Sequence, residues 1–215
     1  MGIALLELGY TALGARLDMA QSLLKGNSQP ALEIAGKYDA LQDVPWAALF
    51  KELDQAYPNS KFILTLRDED AWLHSASKHF KDTYIPLHEW LYGRGVLQGN
   101  EKRYLERYKQ HYKEVLSYFE DRDDLLIMDF SQGDGWPKLC AFLNEPTPNK
   151  SFPHANKGKH NYDWKDKTKE VIRKLIPGSV RRARVRLLER MGLHHGRNRF
   201  NNAEANRKER QKRIK

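Results

Sequence analysis

Residues 61–66 of this 215-residue chain read Lys-Phe-Ile-Leu-Thr-Leu, and Arg67-Asp68-Glu69-Asp70 follow at once. A nearly unbroken apolar run of that length predicts a strand buried on both faces, as in a parallel sheet. The acids beyond it suit the positive end of a helix dipole and predict a helix from about Asp70 to Lys81. Strand, charged corner and helix make half of a βαβ unit. Sheets built from such units take their ligands at the carboxyl ends of the strands, which is where Arg67 stands.

The rest of the first 156 residues carries the same alternation. Leucines from Leu5 to Leu24, interrupted by Gly9 and Gly14 and stopped at Gly26-Asn27, predict two helices around a turn. A helix from about Pro30 to Lys37 leads into a short buried strand over 38–43, and Pro45 breaks the chain after Asp43. Trp46 to Tyr57 reads as a helix with Leu49, Phe50 and Leu53 inward. Tyr104 to Asp121 is a long Tyr- and Lys-rich helix, 125–130 a second buried strand, and Pro137 to Leu143 a helix carrying Leu139, Cys140 and Phe142. The expected fold is α/β, a parallel central sheet flanked by helices.

Composition narrows the function classes. Cys140 is the single cysteine, which excludes an internal disulfide framework and a Cys-cluster zinc site and suits a reducing cytoplasm. No apolar run approaches the ~18 residues of a membrane span. The net charge of +9 is unevenly placed: residues 157–215 hold 20 Lys and Arg against 6 Asp and Glu, and residues 1–156 hold 17 against 22. A basic tail on an acidic body fits a solvated helix with a frayed end, or an anionic partner such as a polyanion, nucleic acid or an anionic membrane surface. The sequence has no G-x-S-x-G elbow, H-E-x-x-H helix, Walker A loop or G-x-G-x-x-G fingerprint. His194-His195 are adjacent and do not share a helix face, so no metal is expected. Arg67 and Ser75, eight residues apart, could grip one phosphate between guanidinium and hydroxyl; an Arg67–Asp70 ion pair beside an idle serine fits the same spacing.

Residues 53–75, from Leu53-Asp54-Gln55-Ala56-Tyr57-Pro58 through Lys61-Phe62-Ile63-Leu64-Thr65-Leu66-Arg67-Asp68 to Trp72 and Ser75, resemble the ELxxxYPxxKFILTxRDxxxWxxS stretch of a sulfotransferase family. Asp43-Val44-Pro45 resembles the family's D-x-P. Leu125 to Phe130 with Gly135-Trp136-Pro137-Lys138-Leu139-Cys140 is similar to its LL..D...GWxxLCxFL stretch, and Ser151 to Asn156 to its PFPHxN close. The similarity spans about residues 1–157. It implies a P-loop-like α/β fold, of the nucleoside-triphosphate-hydrolase type, that moves a sulfuryl group from 3'-phosphoadenosine 5'-phosphosulfate to a hydroxyl or amine acceptor without a metal. By that resemblance Arg67 and Ser75 hold the donor's 3'-phosphate. Lys157-Gly158, ahead of Asp163-Trp164-Lys165, is similar to the family's donor-covering loop, although Asn156 stands where an arginine is expected and one extra residue intervenes.

The family cradles the 5'-phosphosulfate in a strand, a K/R-x-G-T-T loop and a helix N-terminus. No such loop occurs in these residues, and Met1 to Tyr10 resembles the helix that follows it, entered partway. The fold is therefore expected to lack its first strand and phosphate loop, with a misassigned start or a lost cradle as the alternatives and little transfer activity as the consequence. Asp43 is the expected catalytic base, with an N-cap for the Trp46 helix as its other reading; His154 is the second candidate, or a packed loop histidine. Trp46, Trp72 and Trp136 are expected in the core or the site wall. Residues 84–100 are expected to be loops that shape the acceptor pocket. The expected organisation is a sulfotransferase-like domain over 1–157, a basic helical extension over 158–196 and a frayed tail over 197–215, in the cytoplasm or peripheral at a membrane. Rival readings are a polyanion or nucleic-acid binder acting through the tail, and an inactive partner subunit.

Overall fold

The computed structural model describes residues 1–154, and the basic extension and tail lie outside it. The parallel α/β reading holds, with the strands in two separate ladders. The first joins β1 (Ala12–Leu13) and β2 (Ala40–Leu41); the second joins β3 (Phe62–Leu66) and β4 (Leu125–Asp129). Apolar clusters hold the ladders to their helices: Leu13, Leu23, Trp46, Leu49 and Leu87 pack around the first, and Ala4 and Leu8 from the chain start pack with Met128 of β4 and Leu139 at the second.

The leucine-rich start forms α1 (Gly2–Glu7), a single 3-10 turn over Leu17–Met19 and α2 (Ala20–Leu24). The turn between the helices contains β1, which the periodicity did not reveal. Gly9, at φ 87°, ends α1, and Ala12 and Leu13 then extend into the core at 0% exposure. The pairing is sealed by polar groups: the Thr11 N–H and hydroxyl both donate to Asp39 Oδ2, at 2.8 and 2.6 Å, and the Asp39 N–H donates to Thr11 Oγ1 at 2.9 Å. Thr11 is buried, so this exchange satisfies groups that would otherwise be orphaned.

Helix α3 (Gln29–Ala35) precedes β2, and a 3-10 turn over Trp46–Leu49 runs into α4 (Phe50–Ala56) with Trp46, Leu49, Phe50 and Leu53 all buried as expected. Helix α5 (Glu69–Phe80) follows β3, and its cap is Asp68, whose carboxylate accepts the Ala71 N–H at 2.8 Å. Within the 84–100 stretch lies α6 (Pro86–Tyr92), ended by Gly93 in the left-handed conformation. Then come α7 (Glu101–Tyr118), ahead of β4, and α8 (Trp136–Leu143). The expected burial of β3 on both faces, and of β2 and β4 as buried strands, is corrected. In β3 and β4 only Leu64 and Met128 are buried, and β2 is half-buried, because residues of all three strands border an open cavity.

A buried polar node links α6 to α7. His88, 4% exposed, lies 3.3 Å from Tyr104 Oη, which donates to Arg94 O at 2.8 Å. The rings of Phe80, Tyr92 and Tyr104 enclose it. Burial, with a smaller contribution from His79, lowers its pKa from 6.5 to about 4. His88 is therefore neutral in the fold and readily protonated when unfolded. Its stabilisation is complete above pH 6.5 and is lost as pH falls from there through 4, up to about 3 kcal/mol in all. Urea unfolding at pH 7 and pH 4.5 should show His88→Gln losing less stability on acidification than the wild type; equal losses would refute the assignment.

Candidate active site

The two ladders face each other across an open cavity of about 1040 Å³. In β2, the Ala40 and Gln42 N–H groups donate to Thr11 O and Leu13 O, so the backbone of Leu41 faces away from β1. In β3, the Phe62 N–H donates to Asp124 O, so the backbone groups of Ile63, Thr65 and Arg67 face away from β4. Leu41, Ile63, Thr65 and Arg67 all line the cavity. The cavity thus lies between two free strand edges, with Arg67 at its β3 end and Asp43 just past β2.

Arg67 is exposed, and among the described residues its guanidinium makes no hydrogen bond or ion pair. The Arg67–Asp70 pair does not form; of the neighbouring acids, Asp68 caps the helix and Glu69 pairs with Lys109 on α7 at 2.5 Å. Ser75 lies on α5 beyond the corner, half-buried, and is not among the residues lining the cavity. Trp72, on the same helix, does line it and stacks on Tyr108 with ring centroids 4.3 Å apart. Trp46 and Trp136 are buried core residues.

Asp43 adopts φ 65°, a left-handed conformation that aspartate tolerates better than most residues, and the following Val44–Pro45 bond is cis. Its carbonyl accepts the Ala47 N–H at 3.0 Å, while the Trp46 turn has no side-chain cap. The carboxylate is therefore not an N-cap. It accepts a long hydrogen bond, 3.4 Å, from Gln42 Nε2. Asp43 is exposed at the mouth of the cavity, and partial desolvation by the surrounding chain raises its pKa from the ordinary carboxylate value, offset in part by the Met1 amino group and by Gln42. A carboxylate held in this way accepts a proton more readily than one in water.

Residues on α7 that sequence reasoning passed over form the remaining wall. Arg107, Tyr108, His111, Tyr112 and Val115 all line the cavity, at the three- and four-residue spacing of one helix face. That stripe was the available signal. His111 packs edge-on against Phe50, and burial together with Arg107 lowers its pKa. Arg107 is engaged by Glu114 at 3.3 Å. His154 is exposed near the end of the described residues and away from the cavity lining, and Lys157 and Gly158 lie outside the described residues. Among the described residues no cluster of three or more His, Cys, Asp or Glu could hold a metal ion, and no helix is long and apolar enough to cross a membrane.

A family model described as a sulfotransferase domain matches residues 16–92 and 79–161. The chain is similar to the Ava biosynthesis cluster protein M of Aspergillus versicolor, 28% identical over 179 residues that cover 69% of this chain and 65% of that protein. The chain thus spans about two thirds of the length of the curated relative it matches.

Proposed function

The chain belongs to the sulfotransferase family, and from that premise we propose that its cavity brings 3'-phosphoadenosine 5'-phosphosulfate together with a hydroxyl or amine acceptor. The observation that carries the reading is Arg67: a guanidinium at the carboxyl end of β3, lining the cavity and unpaired among the described residues. An arginine left unpaired at a ligand-facing strand end offers a planar fork of donors that matches a phosphate. Ser75 would join it from α5 at the outer side of the corner. The acceptor's nucleophile would bond to sulfur as the bridging S–O bond breaks, adenosine 3',5'-bisphosphate would leave with the electron pair, and the acceptor's proton would pass to Asp43. The biosynthetic setting named for the relative supports a small-molecule acceptor.

The direct test separates the 3'-phosphate from the rest of the nucleotide. Calorimetry should show adenosine 3',5'-bisphosphate binding at least tenfold more tightly than adenosine 5'-monophosphate, since one charge-assisted phosphate contact contributes about 1.5–3 kcal/mol. Equal affinities would remove Arg67 from the phosphate site and the reading with it.

A further inference from the structure

Helix α7 lines the cavity and holds the backbone of β3 with two tyrosines one turn apart. Tyr112 Oη donates to Thr65 O at 2.6 Å, Tyr108 Oη contacts Arg67 O at 2.9 Å, and the two hydroxyl oxygens are 2.8 Å apart. Three short contacts share two protons. The Tyr112 proton goes to Thr65 O, so the Tyr108 proton is divided between Arg67 O and Tyr112 Oη. Both carbonyls lie on the free edge of β3, where among the described residues no neighbouring strand supplies a donor. An edge carbonyl without a partner would let the end of the strand shift.

The same helix fastens the far side of the corner. Tyr108 stacks on Trp72 of α5, and Lys109 pairs with Glu69 in the first turn of α5. Residues 65, 67, 69 and 72 are therefore all held from α7 within about one turn of that helix. The Arg67 side chain itself is held by nothing among the described residues. Its aim is set by the backbone from which it springs, and that backbone is fixed through its carbonyl.

We propose that Tyr108 is a positioning residue for Arg67: its hydroxyl fixes the Arg67 peptide so that the guanidinium meets an anionic ligand without first having to order the strand end. The proposal rests on the reading of Arg67 as a phosphate-binding residue. It assigns Tyr108 no contact with the ligand. Burial, and then the bond with Tyr112, raise the Tyr108 pKa, so the group stays a protonated donor at every working pH. Ordering a backbone before binding spares that entropy at the moment of binding, so the gain appears as affinity.

The experiment is a double-mutant cycle on the full 215-residue chain, read by calorimetry with adenosine 3',5'-bisphosphate. Tyr108→Phe keeps the ring that stacks on Trp72 and removes one oxygen. It should lower affinity by about three- to tenfold, the fold-change that goes with one ordinary hydrogen bond. In an Arg67→Ala background the same change should have no further effect, because a residue that acts only through Arg67 has nothing left to position. Tyr118→Phe, on the same helix but bonded to Asp54, should leave affinity unchanged. If Tyr108→Phe fails to fold, Tyr112→Phe carries the cycle in its place, with a smaller loss in the same direction. Additive losses would overturn the proposal, since they would mean that Tyr108 meets the ligand directly or supports the site by another route. A clear loss for Arg67→Ala with none for Tyr108→Phe would overturn the positioning role alone. No loss for Arg67→Ala would overturn the phosphate-site reading and the proposal together.

Discussion

Arg67→Ala is expected to lower the affinity for adenosine 3',5'-bisphosphate by at least tenfold while leaving the thermal midpoint within a degree or two of the wild type. The two halves of that result follow from different features of one residue. The exposed guanidinium makes no hydrogen bond or ion pair among the described residues, so its removal orphans no partner and opens no buried cavity. Surface changes of that kind stay within about 0.5 kcal/mol. The backbone of residue 67 is the structural part, and alanine keeps the carbonyl that meets Tyr108. Loss of a charged fork facing a dianionic phosphate costs about 1.5–3 kcal/mol, or roughly one to two decades in dissociation constant. Arg67→Lys should recover only part of the loss, because an ammonium supplies charge without the paired geometry. The check is calorimetry of all three proteins beside their melting curves. A large drop in melting temperature for Arg67→Ala would show that the side chain has a structural partner, and an unchanged affinity would remove it from the site.

The corner around Arg67 was legible because each part of it is local. The apolar run of β3, the charged residues beyond it and the acid-led start of α5 all fall within about 20 consecutive residues, and the structure assembles strand, corner and helix in that order, with Asp68 as the cap. The place of Asp43 just past β2 was legible for the same reason, since Pro45 breaks the chain after it. The missing pieces are those whose meaning comes from distant partners. A two-residue strand such as β1 has no period to detect, and it exists because Thr11 meets Asp39, 28 residues away. The hold of Tyr108 on Arg67 spans 41 residues, and that of Tyr112 on Thr65 spans 47. The sequence showed that α7 is rich in tyrosine but not what the hydroxyls would touch. The burial of β3 was overread because an apolar run implies two covered faces only where other elements pack on both of them, and residues 62–65 border the open cavity. Here one edge of β3 faces the cavity instead.

Trp46 should be among the most costly residues of the described fold to truncate, and the reason ties stability to the placement of Asp43. The indole is 2% exposed in the cluster formed by Leu13, Leu23, Leu49 and Leu87, and its Nε1 donates to Gly14 O at 2.8 Å. Gly14 follows β1 and Trp46 follows the Asp43 turn, so this one side chain joins the exits of the two strands of the first ladder. The Arg16 N–H, which donates to Val44 O at 3.1 Å, makes the same join through the backbone. Trp46→Ala removes the ring and the donor together and should cost about 3–5 kcal/mol, a large part of the roughly 5–15 kcal/mol that holds a domain folded. Trp46→Phe separates the two contributions: the apolar volume is mostly kept, while Gly14 O loses its donor, for about 1–3 kcal/mol. Urea unfolding of the three proteins measures both steps. The backbone join remains in each variant, so the Asp43 turn should loosen in proportion to the lost stability without being abolished. Trp46→Phe as stable as the wild type would mean that Gly14 O finds water in place of the indole. A cost below about 1 kcal/mol for Trp46→Ala would mean that the ladder and the Asp43 turn are held together by something other than this ring.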